Sequence, residues 1–287
     1  MNIGLVTDST CDLSSEIITQ YNIEIVPLNV HIEDEVFTDG LDIDTDEFYR
    51  RQKEAREIPS TSQPSVGKFM EKYRDLAEKY DRIISIHLSG ELSGTLDSAR
   101  LAALQLESDV DLFDSRGASL GLGLQVVLAA RMIEKGSSVS EIMATLKKAR
   151  EKTSIYFTVG ELTYLQAGGR IGKAQALVGS ILNFNPILEL STEDGKIDFH
   201  SKVRGTKKTR QKMVQLIEEK ISSTSDPVWL GFINGKAGQV YEDFRQEVST
   251  LSNEKTEIFQ ANLGPVLGSH AGPLVYGCVI VKGDFLI

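Results

Sequence analysis

The sequence predicts an α/β protein of two domains, and three observations predict that class. Strand and helix patterns alternate as far as residue 152, which is typical of a parallel sheet with helices on both faces. From residue 153 the pattern changes, and "PILELSTEDGKIDFHSKV" predicts two strands joined by a turn. The 287 residues, 41% of them hydrophobic, are enough for two cores. We expect an N-terminal α/β domain at residues 1–152 and a C-terminal α+β domain with a mainly antiparallel sheet at residues 153–287.

The N-terminal elements follow from short apolar runs and longer periodic segments. Strands are predicted at "NIGLV", "IEIVPLNVHI", "RIISIHLS" and "VDLFDS". Helices are predicted at residues 13–20, "GKFMEKYRDLAEKY", "TLDSARLAALQL", "LGLGLQVVLAARMIEKG" and residues 139–152. In the fourth helix, which Gly136 ends, one apolar stripe indicates a buried face formed by Leu120, Leu124, Val127, Leu128 and Met132.

The C-terminal elements mix hairpin strands with helices. After the hairpin, a helix is predicted at residues 206–221, then a strand at "VWLGFING" and a helix at "GQVYEDFRQEVSTL". Two further strands are predicted at "TEIFQAN" and "VYGCVIV". No linker rich in proline, glycine or serine marks the boundary near residue 153. The mixed strand and helix pattern therefore predicts the fold class of the second domain but does not define the residue at which that domain begins.

Composition and charge restrict the function classes. The net charge is −10 and the sequence pI is about 5.0, so we expect no nucleic acid on a broad face. Cys11 and Cys278 lie at opposite ends without a C-x-x-C spacing, which argues against a metal knuckle or a disulfide framework. The first residues predict a strand and no secretory signal, and the apolar window at residues 118–130 is too short to span a bilayer. We expect a cytoplasmic protein with reduced thiols and no metal.

Hydroxyl side chains crowd the segment "REIPSTSQPSVGKF", residues 56–69, at Ser60, Thr61, Ser62 and Ser65. Helix capping by Ser62 or Ser65 explains one or two of them. A loop at the carboxyl edge of a parallel sheet is where open α/β sheets bind ligands. Hydroxyl donors beside free helix N–H groups suit a carboxylate, so the segment predicts part of an anion site.

A second hydroxyl-rich segment, "LSGELSGTLDSA", follows the strand "RIISIH" and opens a helix. Gly90 and Gly94 permit close approach of the backbone, and Ser93 lies at the helix entry. A capping turn is the structural alternative. If the segment lies at the same sheet edge as Thr61 and Ser62, two hydroxyl-bearing loops converge on one site.

Four further residues are candidates, each with a structural alternative. Asp8 either caps the turn after the first strand or orients a hydroxyl or histidine. Arg170, in "QAGGRIGK", is either a surface residue or a cation for an anionic head group, since the segment fails the Walker spacing. Arg204 belongs to the basic run "KVRGTKKTR", which is either a solvated face or a docking site for an acidic partner or a phosphate. His270 is predicted in a loop rich in glycine and proline, which favours a ligand contact.

The motifs "TDST", "TSQPS", "LSGELSGT", "GGRIG" and "GPVLGSHAGP" occur in an order and spacing that resembles the DegV family of bacterial proteins along essentially the whole chain. The resemblance implies two α/β domains with a long-chain fatty acid, such as hexadecanoate, buried between or beneath them. It implies the fatty-acid-binding subunit of a fatty acid kinase and not an enzyme in its own right. Such a subunit presents the acyl carboxylate to a separate ATP-dependent kinase subunit and carries the acyl-phosphate toward phospholipid synthesis.

The resemblance also implies roles for individual residues. Arg170 and Arg204 would face the kinase subunit or the acyl-phosphate. The partners expected are the fatty acid and the kinase catalytic subunit, with transient contact with a membrane surface as a further option and no cofactor. The ligand-binding residues implied are Thr61, Ser62, Ser93, Gly94, Thr95 and His270.

The chemistry of a fatty acid fits these residues, although two alternatives stay open. Burial of the acyl chain contributes about 0.8 kcal/mol per CH₂ group, so the head group needs only hydrogen-bond donors. The sequence has no Walker A motif, no kinase glycine-rich loop and no G-x-G-x-x-G after a strand, so ATP chemistry would belong to a partner. A serine hydrolase using Ser93, His270 and Asp8 is one alternative, although Ser93 lies outside a G-x-S-x-G elbow. A generic carrier of lipophilic ligands is the other.

Overall fold

The computed structural model describes residues 2–106, 109–177 and 184–286. The strands are β1 (Ile3–Asp8), β2 (Ile23–Val26), β3 (Asn29–Ile32), β4 (Glu35–Thr38), β5 (Ser60–Ser62), β6 (Arg82–His87), β7 (Val110–Asp114), β8 (Thr153–Thr158), β9 (Asn185–Leu190), β10 (Ile197–Val203), β11 (Val228–Asn234), β12 (Thr256–Asn262) and β13 (Tyr276–Lys282). The helices are α1 (Ser15–Gln20), α2 (Thr45–Glu54), α3 (Val66–Ala77), α4 (Thr95–Leu106), α5 (Leu120–Glu134), α6 (Val139–Glu151), α7 (Thr163–Ala167), α8 (Thr206–Ser222), α9 (Gln239–Ser249) and α10 (Pro265–Ala271). Two 3-10 helices span Ser9–Cys11 and Gly172–Leu177.

A four-stranded parallel sheet of order β2-β1-β6-β7 forms the N-terminal part. Helices α3 and α4 cover one face, where Phe69 and Tyr73 are fully buried. Helix α5 packs on the other face, against β1 and β6. The prediction of a parallel sheet with helices on both faces is confirmed.

A six-stranded sheet of order β10-β9-β8-β13-β11-β12 forms the C-terminal part. Its neighbouring strands are antiparallel except for β11 and β12, which confirms the mainly antiparallel prediction. Side chains of β11 alternate between two cores: Phe232 packs with α8 and α9, whereas Trp229 packs in the cluster that contains α5. Helix α5 therefore lies between the two sheets.

Burial on all sides distinguishes α5 from the amphipathic helix that the apolar stripe predicts. Residues 120 to 130 are all buried, including those between the stripe positions. Gly121 and Gly231 mark how closely α5 packs against the six-stranded sheet, since a Cβ atom at Gly121 would lie 2.5 Å from Ile155 Cδ1, and one at Gly231 3.0 Å from Leu120 Cδ1. Because α5 belongs to the cores on both sides, the division at residues 152 and 153 stays a prediction.

A third sheet of order β4-β3-β5 was not predicted. The segment "IEIVPLNVHI" predicts one strand, but Pro27 and Leu28 separate β2 from β3, which join different sheets. Strand β5 consists of the three hydroxyl residues Ser60–Ser62, whose polarity obscured the strand pattern. The helix that follows begins with Ser65 as its cap, since Ser65 Oγ accepts the Lys68 N–H over 3.3 Å.

The prediction of a loop around His270 is wrong, because the residue lies in helix α10. The proline and glycine residues that suggested a loop stand at the helix ends: Pro265 occupies the first turn and Gly272, with φ 75°, ends the helix.

Both cysteines are buried as free thiols, Cys11 in the first 3-10 helix and Cys278 in β13. Of the helices in the described ranges, none combines the length and the apolar character that crossing a bilayer requires.

Candidate functional site

A cavity of about 370 Å³ lies between β5, the loops after β6 and β7, helix α10 and the inner face of the six-stranded sheet. Its wall is mainly apolar, and its side chains come from strand β5, from the six-stranded sheet and from the loops that follow the parallel strands. They include Leu88, Leu92, Phe157, Leu190, Ile197 and Ile233. The cavity therefore suits a ligand that is apolar along most of its length, because such a ligand needs no hydrogen-bond partners from the wall there.

Polar side chains line one portion of this cavity. The predicted residues Thr61, Ser62, Ser93, Arg170 and His270 are among them. Gly94 and Thr95 follow Ser93 at the start of α4, next to the cavity. The structure does not place Arg204 among the lining residues, since it lies in the exposed turn between β10 and α8.

Thr61 is held by His270. The Thr61 Oγ1 and His270 Nε2 atoms are 2.8 Å apart. Burial, with a smaller contribution from the Arg170 cation, lowers the pKa of His270 to about 4, so the imidazole is neutral at neutral pH. In the tautomer with the proton on Nε2, the imidazole donates to Thr61 Oγ1, and the threonine hydroxyl hydrogen is then free to donate into the cavity.

Side chains alternate along β5, so the Ser62 hydroxyl is bonded to β3 and not to His270, although Ser62 also lines the cavity. Its Oγ lies 2.9 Å from His31 Nε2 and accepts from Asn29 Nδ2 over 3.4 Å, both on β3. Sequence reasoning missed His31 and Asn29. The alternation in "NVHI", with two polar residues on one face, is the signal that was available.

The Ser93 segment contacts the Thr61 segment directly. A Cβ atom at Gly94 would lie 2.2 Å from Gln63 Oε1, so glycine is required where the two loops meet. Ser93 Oγ accepts the Thr95 N–H over 3.3 Å and lies 2.9 Å from Thr95 Oγ1. Ser93 thus shapes the turn into α4 and also lines the cavity, so both interpretations of this segment describe part of its structure.

Arg170 connects the two parts of the chain at the cavity. Its Nε donates to the Leu92 carbonyl oxygen over 3.0 Å and its Nη1 to that of Gly168. A Cβ atom at Gly168 would lie 2.1 Å from His270 Nδ1, which explains a glycine before Arg170. Within the described part of the chain, His270 Nδ1 is a buried atom without a hydrogen-bond partner.

Asp8 is fully buried behind the cavity and not in it. Its carboxylate lies 3.0 Å from His87 Nδ1 and accepts the Leu88 N–H at 3.0 Å and the Thr10 N–H at 3.1 Å. His87 continues through Ser85 to Tyr73 in a chain of buried hydrogen bonds.

The alternative of a hydrolase triad does not match these pairings. His270 is bonded to Thr61 and not to Ser93, and Asp8 is bonded to His87 and not to His270. Ser93, His270 and Asp8 therefore do not form the relay that such a triad needs. Across residues 2–106, 109–177 and 184–286, no group of three or more His, Cys, Asp or Glu side chains could hold a metal ion.

Comparison with known proteins gives consistent matches over the whole chain. The family model described as an uncharacterised protein of the DegV family matches residues 2–283. A DegV domain-containing protein of Deinococcus radiodurans is 34% identical over 282 residues, which cover 98% of each chain.

Two solved structures resemble the fold closely. One is described as fatty acid binding of a DegV family protein from Thermus thermophilus; it has a TM-score of 0.92 and 35% identity and covers 99% of this chain and 100% of its own. The other is described as a stearic-acid-binding protein from Eubacterium ventriosum; it has a TM-score of 0.89 and 28% identity and covers 99% of both chains.

Proposed function

The chain belongs to the DegV family, and we propose that it binds a long-chain fatty acid in the cavity and presents the carboxylate to a separate ATP-dependent kinase subunit. The observation that carries the proposal is the meeting of two hydroxyl-bearing segments, at Thr61 and Ser93, on a cavity whose wall is otherwise mainly apolar. The relatives described as binding fatty acid or stearic acid support the same ligand class.

The acyl chain supplies most of the binding free energy. Each CH₂ group that leaves water contributes about 0.8 kcal/mol, and the wall residues Leu190, Ile197 and Phe157 offer apolar contacts. An unpaired carboxylate at the end of that chain would be costly, so donors are needed there. The hydroxyls of Thr61 and Ser93 provide them.

The same donors leave the carboxylate reactive. Arg170 directs Nε and Nη1 to backbone carbonyl groups, so these two nitrogens do not form a bidentate clamp on the ligand. Neutral His270 adds no positive charge to the site. A carboxylate held by hydroxyl groups keeps more of its nucleophilic character toward a phosphoryl group than one paired with a guanidinium.

The phosphoryl transfer would take place on the partner. The sequence has no nucleotide-binding motif, so the kinase subunit would supply ATP and this chain would carry the acyl-phosphate away. Arg204 lies on an exposed basic stretch with Lys202, Lys207 and Lys208, which suits the docking of an acidic surface. Location in the cytoplasm, where such a partner would act, stays a prediction.

The experiment compares the delipidated wild type with the double variant Thr61→Val, Ser93→Ala. Hydrogen bonds to a charged group are worth about 1.5–3 kcal/mol each, so we expect hexadecanoate to bind the variant at least about tenfold more weakly. Binding is measured by calorimetry, and acyl-phosphate is then measured with ATP and a kinase subunit. Ser60→Ala is the matched control, since Ser60 is an exposed hydroxyl of the same strand.

Two results would contradict the proposal. Equal hexadecanoate affinity in the wild type and the double variant would remove both hydroxyls from the site. The second result comes from extraction of the purified protein and mass spectrometry. If a nucleotide or a sugar is recovered and no acyl chain, the ligand is not a fatty acid.

A further inference from the structure

Ser119 is a polar residue of the cavity wall that lies outside the Thr61 and Ser93 segments. It is 2% exposed, lines the cavity and stands immediately before α5. Its backbone has φ 52° and ψ −138°, a conformation that residues other than glycine rarely adopt. Such strain persists only where the surroundings hold it, so the contacts of Ser119 indicate the purpose of the position.

The Ser119 hydroxyl is bonded to a partly buried carboxyl group. Ser119 Oγ lies 2.5 Å from Asp12 Oδ2, and the Gly264 N–H donates to Asp12 Oδ1 over 3.0 Å. Gly264 immediately precedes α10, the helix that contains His270. One carboxyl group therefore joins the beginnings of α5 and α10, and both Ser119 before α5 and helix α10 line the cavity.

Several groups act on the pKa of Asp12. Burial is the largest cause and raises it to about 8, the hydrogen bonds from Ser119 and Gly264 lower it, and the charges of Asp39 and Asp8 raise it. Burial likewise raises the pKa of Asp39 to about 7. Burial raises the pKa of Cys11 and of Tyr49 too, with the charge of Asp12 contributing, so both stay neutral. With a pKa of about 8, Asp12 changes its charge in a mildly alkaline range.

We propose that Asp12 is a positioning residue whose protonation state directs the Ser119 hydroxyl, and that Ser119 is a further hydrogen-bond donor to the acyl ligand. With a proton on Oδ2, Asp12 donates to Ser119 Oγ, and the serine hydrogen turns into the cavity. After ionisation the carboxylate accepts that hydrogen, so the cavity loses a donor and a negative charge forms behind its wall. The proposal rests on the proposed function, because both changes weaken the binding of an anionic head group.

Ligand binding and proton binding are therefore coupled. An anionic ligand binds more tightly to the form with protonated Asp12, and by reciprocity the bound ligand makes Asp12 harder to ionise. Affinity falls as the pH rises through about 8, the pKa of Asp12 in the free protein. Binding at that pH takes up a proton from solvent.

The test measures ligand affinity between pH 6 and pH 9.5 by calorimetry. The probe is a long-chain alkylsulfonate, which stays ionised throughout, with hexadecanoate measured alongside. We expect the wild type to bind the sulfonate about tenfold more weakly at pH 9.5 than at pH 6, which corresponds to a change of about one pKa unit in Asp12. Calorimetry of the wild type in two buffers of different ionisation enthalpy is expected to show proton uptake at pH 8 and almost none at pH 6.

Three variants separate the contributions. Asp12→Asn keeps the tight affinity at all pH values, because the amide cannot ionise and asparagine tolerates the φ of 49° at this position. Ser119→Gly binds more weakly at pH 6 and shows a smaller step, and glycine removes the hydroxyl without adding backbone strain. Asp39→Asn is the matched control for a nearby buried carboxyl group: the step remains in it but moves to lower pH, because the charge of Asp39 no longer raises the pKa of Asp12.

Each outcome decides for or against the proposal. A flat wild-type profile, or a step of unchanged size in Asp12→Asn, overturns it. If Asp12→Asn does not fold, absence of proton uptake by the wild type at pH 8 overturns it, and uptake supports it. Failure of the wild type to bind either probe at pH 6 overturns the proposed function, and this inference with it, whereas tight binding without pH dependence overturns this inference alone.

Discussion

His270 illustrates how burial, and not sequence context, determines the chemistry of a side chain. Its imidazole is neutral, bonded to Thr61 through Nε2, and its Nδ1 faces the backbone at Gly168. The sequence identified the residue correctly as a candidate, but for the wrong local structure. His31 and Asp12 were not identified, because a short polar strand and a turn aspartate resemble ordinary surface positions until the fold is known.

Stability is expected to fall with acid partly through His270. The pKa of this residue is about 4 in the folded chain, against the ordinary value of 6.5. Between those values the unfolded chain binds the proton first, so stability is lost as the pH falls from about 6.5 toward 4. Urea unfolding of the wild type and of His270→Asn at pH 7 and pH 5 measures this. The loss is expected to be about 1–2 kcal/mol smaller in the variant, and equal losses would contradict the assignment.

At the scale of elements, the segment after α7 leaves the space that His270 of α10 occupies. Gly168 has φ −74°, which any residue adopts, so only the space taken by His270 requires glycine there. Gly169 has φ 70° and open space around the position of a Cβ atom. The two neighbouring glycines are therefore required for different reasons, one by packing and one by backbone conformation.

Gly168→Ala is expected to displace His270 and weaken fatty acid binding about tenfold or more, while destabilising the fold by about 1–3 kcal/mol. Gly169→Asn is the matched control, since asparagine tolerates a positive φ and meets no neighbour. Calorimetric affinity and urea unfolding measure the two effects. Normal affinity in Gly168→Ala would show that the histidine position is not important for the ligand.

Much of the fold could be predicted from periodicity, and the failures have physical causes. Long periodic segments such as α3, α4 and α8 were predicted with nearly the observed bounds, because their apolar faces repeat over several turns. Strand β5 was missed because its three side chains are polar and its pairing with β3 is non-local. Helix α10 was missed because its glycine and proline residues cap a helix that is only seven residues long.

For the candidate site, order along the chain predicted which residues line the cavity but not their pairing. Thr61, Ser93, Arg170 and His270 were predicted and line it, whereas Arg204 does not. The bond between Thr61 and His270 joins residues more than two hundred positions apart. A single sequence contains no record of such a contact.

At the scale of the molecule, the tip of the β9–β10 hairpin reaches the loops of the parallel sheet. The buried Ser89 hydroxyl donates to the Gly195 carbonyl oxygen over 2.8 Å. Beside it, Lys196 and Glu91 form an exposed ion pair at 3.2 Å, and the Arg116 guanidinium donates to the Glu193 carbonyl oxygen. The tip therefore connects the two sheets at the rim of the cavity.

Ser89→Ala is expected to destabilise the protein by about 1–3 kcal/mol, because the Gly195 carbonyl group loses its buried donor. Glu91→Gln is the control at the same contact, with an expected change of about 0–1 kcal/mol, since exposed ion pairs contribute little. Urea unfolding measures both. A larger effect from Glu91→Gln than from Ser89→Ala would assign the connection to the surface charges.

Both sulfur atoms are enclosed, and burial raises the pKa of each thiol, so neither forms the thiolate that reacts with oxidants or electrophiles. Cys11 lies beneath the turn that leads to Asp12, and Cys278 lies in the central strand β13 of the larger sheet. The folded chain consequently keeps both thiols away from oxidants in solution. Only an opening of the structure around a sulfur exposes it, so alkylation of each cysteine reports on the integrity of its own surroundings.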